Sequence, residues 1–227
     1  AVRAIHLLKP YQFSKNWYVM GHSQGGAATL MVAAYGQKDA PEFNLRGAMA
    51  VAPGGYQYEG IAKYAASHPQ IEKSVIAFLP IVLLGAEAAE PSLDIMNLLS
   101  PEMGEIVNRA RNRGLSELQA SVQEAPKTVF KPDANLNPLI DYSKKQSIEN
   151  MIPTVPVMII QGDKDQIVDP HGTYAYYQQI CKMGKPIAFQ PVEGADHHGS
   201  LSQSEFMVAD FINSIEHKQF KSTCGKE

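Results

Sequence analysis

Cysteine is nearly absent from this sequence. Its 227 residues hold two, Cys181 and Cys224. That excludes a disulfide framework and any cysteine-based metal spacing. A single bridge, which would belong to an oxidising compartment, and two separate thiols both remain open. Long apolar runs are absent too. The longest, residues 75–86, is interrupted by Pro80 and is too short to span a bilayer. It reads first as a buried helix and second as a lid segment that meets an apolar substrate. Charge is nearly balanced, with 20 Lys and Arg against 23 Asp and Glu and a net charge of −3. No basic run offers a footprint for nucleic acid. The chain begins at Ala1, and no basic and then apolar leader follows, so a processed product or a fragment is expected. No internal repeat or low-complexity segment occurs. The length suits one globular domain with room for an inserted subdomain.

What is present is a strand, a tight turn and a helix. Residues 16–20 read as a buried strand and residues 27–35 as a small-residue helix. Between them lies Gly21-His22-Ser23-Gln24-Gly25-Gly26, a Gly-x-Ser-x-Gly in the setting of a nucleophile elbow. Such a turn strains the serine backbone and pushes its Oγ outward. Residues two before and two after the serine are expected to approach too closely for side chains, which suits Gly21 and Gly25. The helix behind the serine aims free N–H groups at developing negative charge.

Around this turn the chain falls into three stretches. Residues 2–9 have helical spacing and end at Lys9-Pro10. Residues 45–52 form a second apolar strand closed by Pro53-Gly54-Gly55, so strand, helix and strand make a βαβ unit with a parallel sheet. From 56 to 150 no strand is evident. Helix-like patterns cover 61–67, 71–79, 92–99, 103–111 and 117–124, punctuated by Pro69, Pro91, Pro101, Gly114 and Pro126. Helices without strands between two βα segments point to an inserted helical cap over 56–150, with a core of 1–55 and 151–227. The α/β pattern then returns, with strands at 155–162 and 186–192, helices at 173–183 and 204–217, and loops at 163–170 and 193–200.

In a parallel sheet the chemistry lies on loops beyond the carboxyl ends of the strands. Three such loops carry reactive groups. One holds Ser23, one holds Asp163, Asp165 and Asp169, and one holds Asp196, His197 and His198. The order Ser, Asp, His is that of the α/β-hydrolases. A serine hydroxyl needs a base to take its proton, histidine suits that task, and a carboxylate holds the imidazole tautomer. Asp163 reads as a turn former, and Asp169-Pro170 as a helix N-cap followed by Pro at the first helical position. His22 is expected to point away from the serine Oγ and to fill structure or a pocket wall. His6, His68, His171 and His217 read as surface or packing residues, and Asp196 as a loop-orienting residue.

Over nearly its full length the chain resembles the secretory lipases and related bacterial and fungal esterases of the α/β-hydrolase superfamily. In that family the acid lies in Gly-x-x-Asp-x-x-Val, here Gly162-Asp163-Lys164-Asp165-Gln166-Ile167-Val168, which points to Asp165. The base lies in Gly-x-x-His, here Gly194-Ala195-Asp196-His197, which points to His197. Pro91-Ser92-Leu93-Asp94, Leu99-Ser100-Pro101 and Ile180-Cys181-Lys182-Met183-Gly184 also resemble family segments.

The resemblance implies a serine carboxylic-ester hydrolase that works through an acyl-enzyme. Ser23 is the nucleophile, His197 the base, Asp165 its orienter and the Gln24 N–H an oxyanion donor. No metal or organic cofactor is implied. The expected partner is a small ester or lipid, and the expected location is secreted or periplasmic. A serine peptidase or acyltransferase of the same fold, or a non-catalytic binding member, are the alternatives. Only twenty-two residues precede Ser23, and no HGGG-like segment is present to give a second oxyanion donor. We therefore expect a sheet without its first strands, with an exposed apolar edge, in the C-terminal part of a longer enzyme or in a truncated homologue. Activity of such a chain would be impaired.

Overall fold

The computed structural model describes residues 1–9, 11–67, 73–121 and 126–225. It divides into two compact units, Ala1–Gln57 with Ser147–Glu227, and Tyr58–Gln146. In chain order the elements are α1 (Val2–Leu8), β1 (Asn16–His22), α2 (Gln24–Asp39) and β2 (Asn44–Val51) of the first unit. The second unit contributes α3 (Glu59–Ser67), α4 (Lys73–Ala89), α5 (Ile95–Leu98), α6 (Pro101–Ala110), α7 (Leu115–Ser121) and α8 (Asn137–Gln146). The first unit resumes with β3 (Val157–Gly162), α9 (Pro170–Lys182), β4 (Ile187–Val192), α10 (His197–Ser202) and α11 (Glu205–Glu216).

Four parallel strands pair in the order β1-β2-β3-β4. The central strands are near-continuous apolar runs, and β3 is buried at every position. That pattern belongs to a parallel sheet covered on both faces. Leu30 and Ala33 of α2, with Tyr176 and Ile180 of α9, pack with Ala48, Ala50, Val157 and Ile159 on one face. Phe211 and Ile215 of α11 pack with Met49, Val51, Met158 and Ile160 on the other. Each such aliphatic side chain contributes about 1.5–3 kcal/mol when fully buried. Gly47 gives Phe211 of α11 room to pack closely, because a Cβ there would stand 2.9 Å from its ring and the ring would have to shift. Tyr176 is fully buried and its hydroxyl donates to the Met151 carbonyl at 2.6 Å. Burial accordingly raises its pKa.

The two edges differ. Along β4, the C-terminal tail satisfies the strand. Thr223 N–H and Ser222 Oγ–H donate to Ile187 O, and Phe189 N–H donates to Thr223 Oγ1. Cys181 and Cys224 form a disulfide that ties this tail to the end of α9. Of the two readings the sequence left open, the bridge is the one formed. Closing its 43-residue separation stabilises the fold by roughly 4 kcal/mol in the chain-entropy picture. At the other edge, β1 is only half-buried and Met20 is 41% exposed. Met31 and Tyr35 of α2 are exposed as well, so the expected apolar edge is present.

The helical unit has its own core, built from Leu79 and Leu83 of α4, Ile95, Leu99, Met103, Ile106, Leu118, Phe130 and Leu139. Ser100 caps α6, accepting from Met103 N–H at 3.2 Å, with Pro101 at the first helical position. An isolated antiparallel bridge joins Leu99 and Phe130, and no strand occurs among the described residues of this unit.

Several expectations are corrected. The helix read over 71–79 runs on through Pro80 to Ala89 as α4, in keeping with the helix read first over 75–86. Leu79, Leu83 and Ala86 bury one stripe of that helix and offset the lost hydrogen bond. The pattern over 92–99 is a 3₁₀ turn and the short α5, separated by Asp94 at φ 44°. The helix α8 was not anticipated, nor was α10 in the expected loop 193–200. The helix behind the serine starts at Gln24 rather than Ala27. Pro10, His68, Pro69 and Ile71 lie outside the described residues, as does the part of the 117–124 helix beyond Ser121.

Candidate active site

The chain reverses at the end of β1 within very few atoms. Ser23 sits at φ 59° and ψ −120°, a conformation that costs a non-glycine residue about 1–3 kcal/mol. Its N–H donates to Val51 O at 2.9 Å, so the neighbouring strand anchors the turn. A Cβ on Gly21 would lie 2.1 Å from Gly25 O, so only glycine fits there. Gly25 departs from expectation, since a Cβ there would meet nothing within 4 Å. The second crowded position is Gly26, whose Cβ would stand 2.8 Å from Val51 O and 2.9 Å from Pro53 Cα. Gly25 supplies the carbonyl that crowds Gly21, while Gly26 faces the β2 end. Gln24 is the first residue of α2, so its N–H has no acceptor within the helix.

Asp165 and His197 come together across 32 residues of sequence. His197 Nδ1–H donates to Asp165 Oδ2 at 2.8 Å, with both side chains buried. The other carboxylate oxygen, Oδ1, accepts from Ile167 N–H and Val168 N–H, each at 2.9 Å. Gln161, itself buried, donates from Nε2 to Oδ2 at 3.1 Å. Burial pushes the Asp165 carboxyl upward. Hydrogen bonds from Val168 N–H, His197 and Ile167 N–H outweigh that and hold it below the ordinary carboxylate value. A charged Asp165 at Nδ1 fixes the tautomer in which His197 Nε2 is free to accept a proton.

The loops carrying this pair are laced to each other. Asp163 Oδ1 accepts from Gly194 N–H at 2.7 Å, and Lys164 N–H donates to Ala195 O at 3.0 Å. The buried Ser200 hydroxyl accepts from Gly162 N–H and donates to Asp196 O, both at 2.9 Å. A Cβ on Gly162 would stand 2.3 Å from Ala195 O, so the glycine is what lets the loops meet. Asp196 caps α10 by accepting from Gly199 N–H at 2.7 Å, and Asp169 caps α9 by accepting from His171 N–H. His198, the neighbour of the base, is exposed and bonds no carboxylate among the described residues.

Ser23 meets the acid–base pair through its neighbour. His22 Nε2–H donates to His197 O at 2.8 Å, and the two rings lie 4.4 Å apart. Among the described residues no hydrogen bond joins Ser23 Oγ to the His197 ring. The sequence reading missed His22 as a tie to the base loop, and missed Gln161 and Ser200 altogether. The Gly-x-x-Asp pattern stood one residue beyond Gln161, but nothing local marked its partner. Among the described residues, no group of three or more His, Cys, Asp or Glu side chains could hold a metal ion.

A strained serine between strand and helix, followed by a buried Asp–His pair on later strand ends, is the arrangement of an α/β-hydrolase. The model of the Secretory lipase family matches residues 11–213, and the chain belongs to that family. Among solved structures, it is similar to Candida antarctica lipase A at 20% identity and a TM-score of 0.81, over 99% of this chain and 54% of that one. The closed state of the same lipase matches at 21% identity and a TM-score of 0.78, over 99% and 55%. The rice cell wall degrading esterase LipA from Xanthomonas oryzae matches at 13% identity and a TM-score of 0.68, over 96% and 63%. These likenesses show the fold. The chain spans about half the length of the lipase A structure it matches. No curated protein sequence matches it.

Proposed function

We propose that this site hydrolyses carboxylic esters through an acyl-enzyme. Ser23 Oγ attacks the ester carbonyl while His197 Nε2 takes its proton. The Gln24 N–H, at the start of α2, donates to the oxyanion. The His197 imidazolium, stabilised by Asp165, then protonates the departing alcohol. Water attacks the acyl-enzyme with His197 again as base, and the carboxylic acid leaves. The observation that carries this reading is the buried 2.8 Å hydrogen bond from His197 to Asp165 on the loops beside the strained serine. Membership of a lipase family favours an ester, and the similar solved structures, a lipase and an esterase, agree with it. Hydrogen bonds between nucleophile and base commonly tighten only when substrate binds.

The helical unit is assigned the cap role that the sequence suggests, selecting the substrate rather than reacting with it. The disulfide and the family's secretory character support a location outside the reducing cytosol, secreted or periplasmic.

The test is hydrolysis of a chromogenic short-chain ester by the purified protein, with Ser23→Ala as the comparison. The variant is expected to lose at least about 10³-fold in kcat while keeping its fold. Equal turnover in both proteins would remove Ser23 from the chemistry.

A further inference from the structure

We infer that His22 is a positioning residue for the base, holding the backbone of His197 so that its imidazole presents Nε2 to Ser23. The inference rests on the ester-hydrolase reading above. It begins from an asymmetry in how His197 is held. Asp165 fixes the ring at Nδ1, but one hydrogen bond to a ring leaves the residue free to rock about that bond. The base loop is tied to the acid loop through the carbonyls of Ala195 and Asp196, and His22 adds a tie from the elbow at the His197 carbonyl. The ring of His22 also lies 4.4 Å from that of His197, tilted by 43°, so it covers one face of the base.

The chemistry of the contact fixes the state of His22. A carbonyl oxygen only accepts, so Nε2 of His22 carries the proton. That nitrogen cannot take a proton from Ser23, so what it contributes here is the hydrogen bond to the carbonyl. The groups that face it are His197, His198 and Asp165. Burial, and the proximity of His197 and His198, lower its pKa against the opposing pull of the His197 carbonyl and Asp165. At neutral pH it therefore donates without placing a cation beside the ring that must become an imidazolium. A lysine or arginine could make the same hydrogen bond, but would repel the transition state.

The placement of His22 in sequence also has a consequence. It is the last residue of β1 and is joined directly to Ser23. A displacement of the base loop is thus carried to the elbow by one peptide unit. Nucleophile and base are therefore coupled by a direct tie, in addition to the bonds that anchor the elbow to β2 and the base loop to the acid loop. A misplacement of about 1 Å between reacting groups can cost on the order of 10²-fold in rate.

The decisive comparison uses three substitutions. Glutamine carries its Nε2 the same number of bonds from Cα as the imidazole Nε2, so His22→Gln can reach the His197 carbonyl. His22→Asn falls one bond short, and His22→Leu has no donor. We expect the Asn and Leu variants to lose about 10- to 100-fold in kcat on the short-chain ester with KM changed less than about twofold. The Gln variant should return to within about threefold of the parent. Melting temperatures should not rank the variants in the same order as kcat. Parent-like kcat in the Leu variant, or equal losses in Gln and Asn, would overturn the inference. The His197 Nδ1–H proton resonance gives a readout without turnover. It should stay in place in the Gln variant and shift or broaden in the Asn and Leu variants, and an unchanged resonance in all three would overturn the inference. If the parent protein does not cleave the ester, the ester reading fails, and this resonance alone decides the role of His22.

Discussion

The two units are held by different forces. In the unit with the sheet, the segments that matter are loops, and polar atoms fix them: Asp163 to Gly194, Lys164 to Ala195, Ser200 to Gly162 and Asp196. In the helical unit, the segments are helices, and apolar side chains such as Leu83, Leu99, Met103 and Val107 join them. Hydrogen bonds are directional and fix atoms to tenths of an ångström. Apolar packing is nondirectional and fixes shape and volume. Every candidate reactive group sits in the first kind of region. If that division has meaning, changes in the sheet unit should alter chemistry out of proportion to stability, and changes in the helical unit should do the reverse.

The strongest way to break the first half of the comparison is Asp165→Asn. In one orientation the new amide N–H₂ faces the N–H groups of His197 and Gln161, and in the other it faces those of Ile167 and Val168. Either way donors oppose donors, and where the N–H₂ faces His197 the histidine tautomer is lost. We expect kcat on a short-chain ester to fall by about 10⁴-fold. The same substitution changes the acid limb of stability. The Asp165 pKa is lower folded than unfolded, below the ordinary 3.8, so the unfolded chain takes up the proton first as pH falls. Its contribution is complete above the unfolded value and is lost as pH drops through the folded one. Urea unfolding followed from pH 6 to pH 3 should show that loss in the parent and a flatter limb in the variant. A parent-like kcat in Asp165→Asn would show that the polar region is ordinary scaffolding.

The helical unit is probed by Met103→Ala. Met103 is fully buried on α6 among Ile95, Leu99 and Val107. Truncating it leaves a cavity and costs about 3 kcal/mol. Thermal unfolding should record that loss, while kcat on a small water-soluble ester stays within about twofold of the parent. A large fall in kcat at unchanged stability would erase the distinction between the units.

The sequence was legible where the constraint is local. Gly21 announces a turn because the carbonyl that crowds it most, that of Gly25, lies four residues on. Asp169-Pro170 announces a helix start for the same reason, and Asp165 and His197 stand in short patterns at strand ends. The unread parts are contacts between distant segments. His22 finds a carbonyl 175 residues away, and the Ser200 hydroxyl finds the Gly162 N–H 38 residues away. Helix α8 buries only Leu139 and Ser143, so its residues carry little apolar periodicity to mark it. The helical pattern over 71–79 stops before Pro80, whereas the packing of Leu79 and Leu83 carries α4 through it. At His22 and at Pro80 contacts between segments decide the outcome, and a single sequence carries no record of them.

The smallest effect tests the comparison at its margin, where a polar tie lies near solvent and holds no reactive group. Tyr18 of β1 donates its hydroxyl to the carboxylate of Glu216, at the end of α11. Burial first, and then this bond to the carboxylate, push the phenol up to about 12. The folded state therefore keeps a proton that the unfolded chain releases near pH 10, so the contribution is complete below that pH and is lost as pH rises toward 12. The pair is partly exposed and screened, and Tyr18→Phe should cost less than about 1 kcal/mol at pH 7. The parent's unfolding midpoint in urea should converge on that of the Phe variant between pH 10 and pH 12, with kcat the same in both at neutral pH. A kcat that fell with Tyr18→Phe would mean that edge ties as well as loop ties reach the chemistry, and the division between regions would have to be drawn inside the sheet unit rather than between the two.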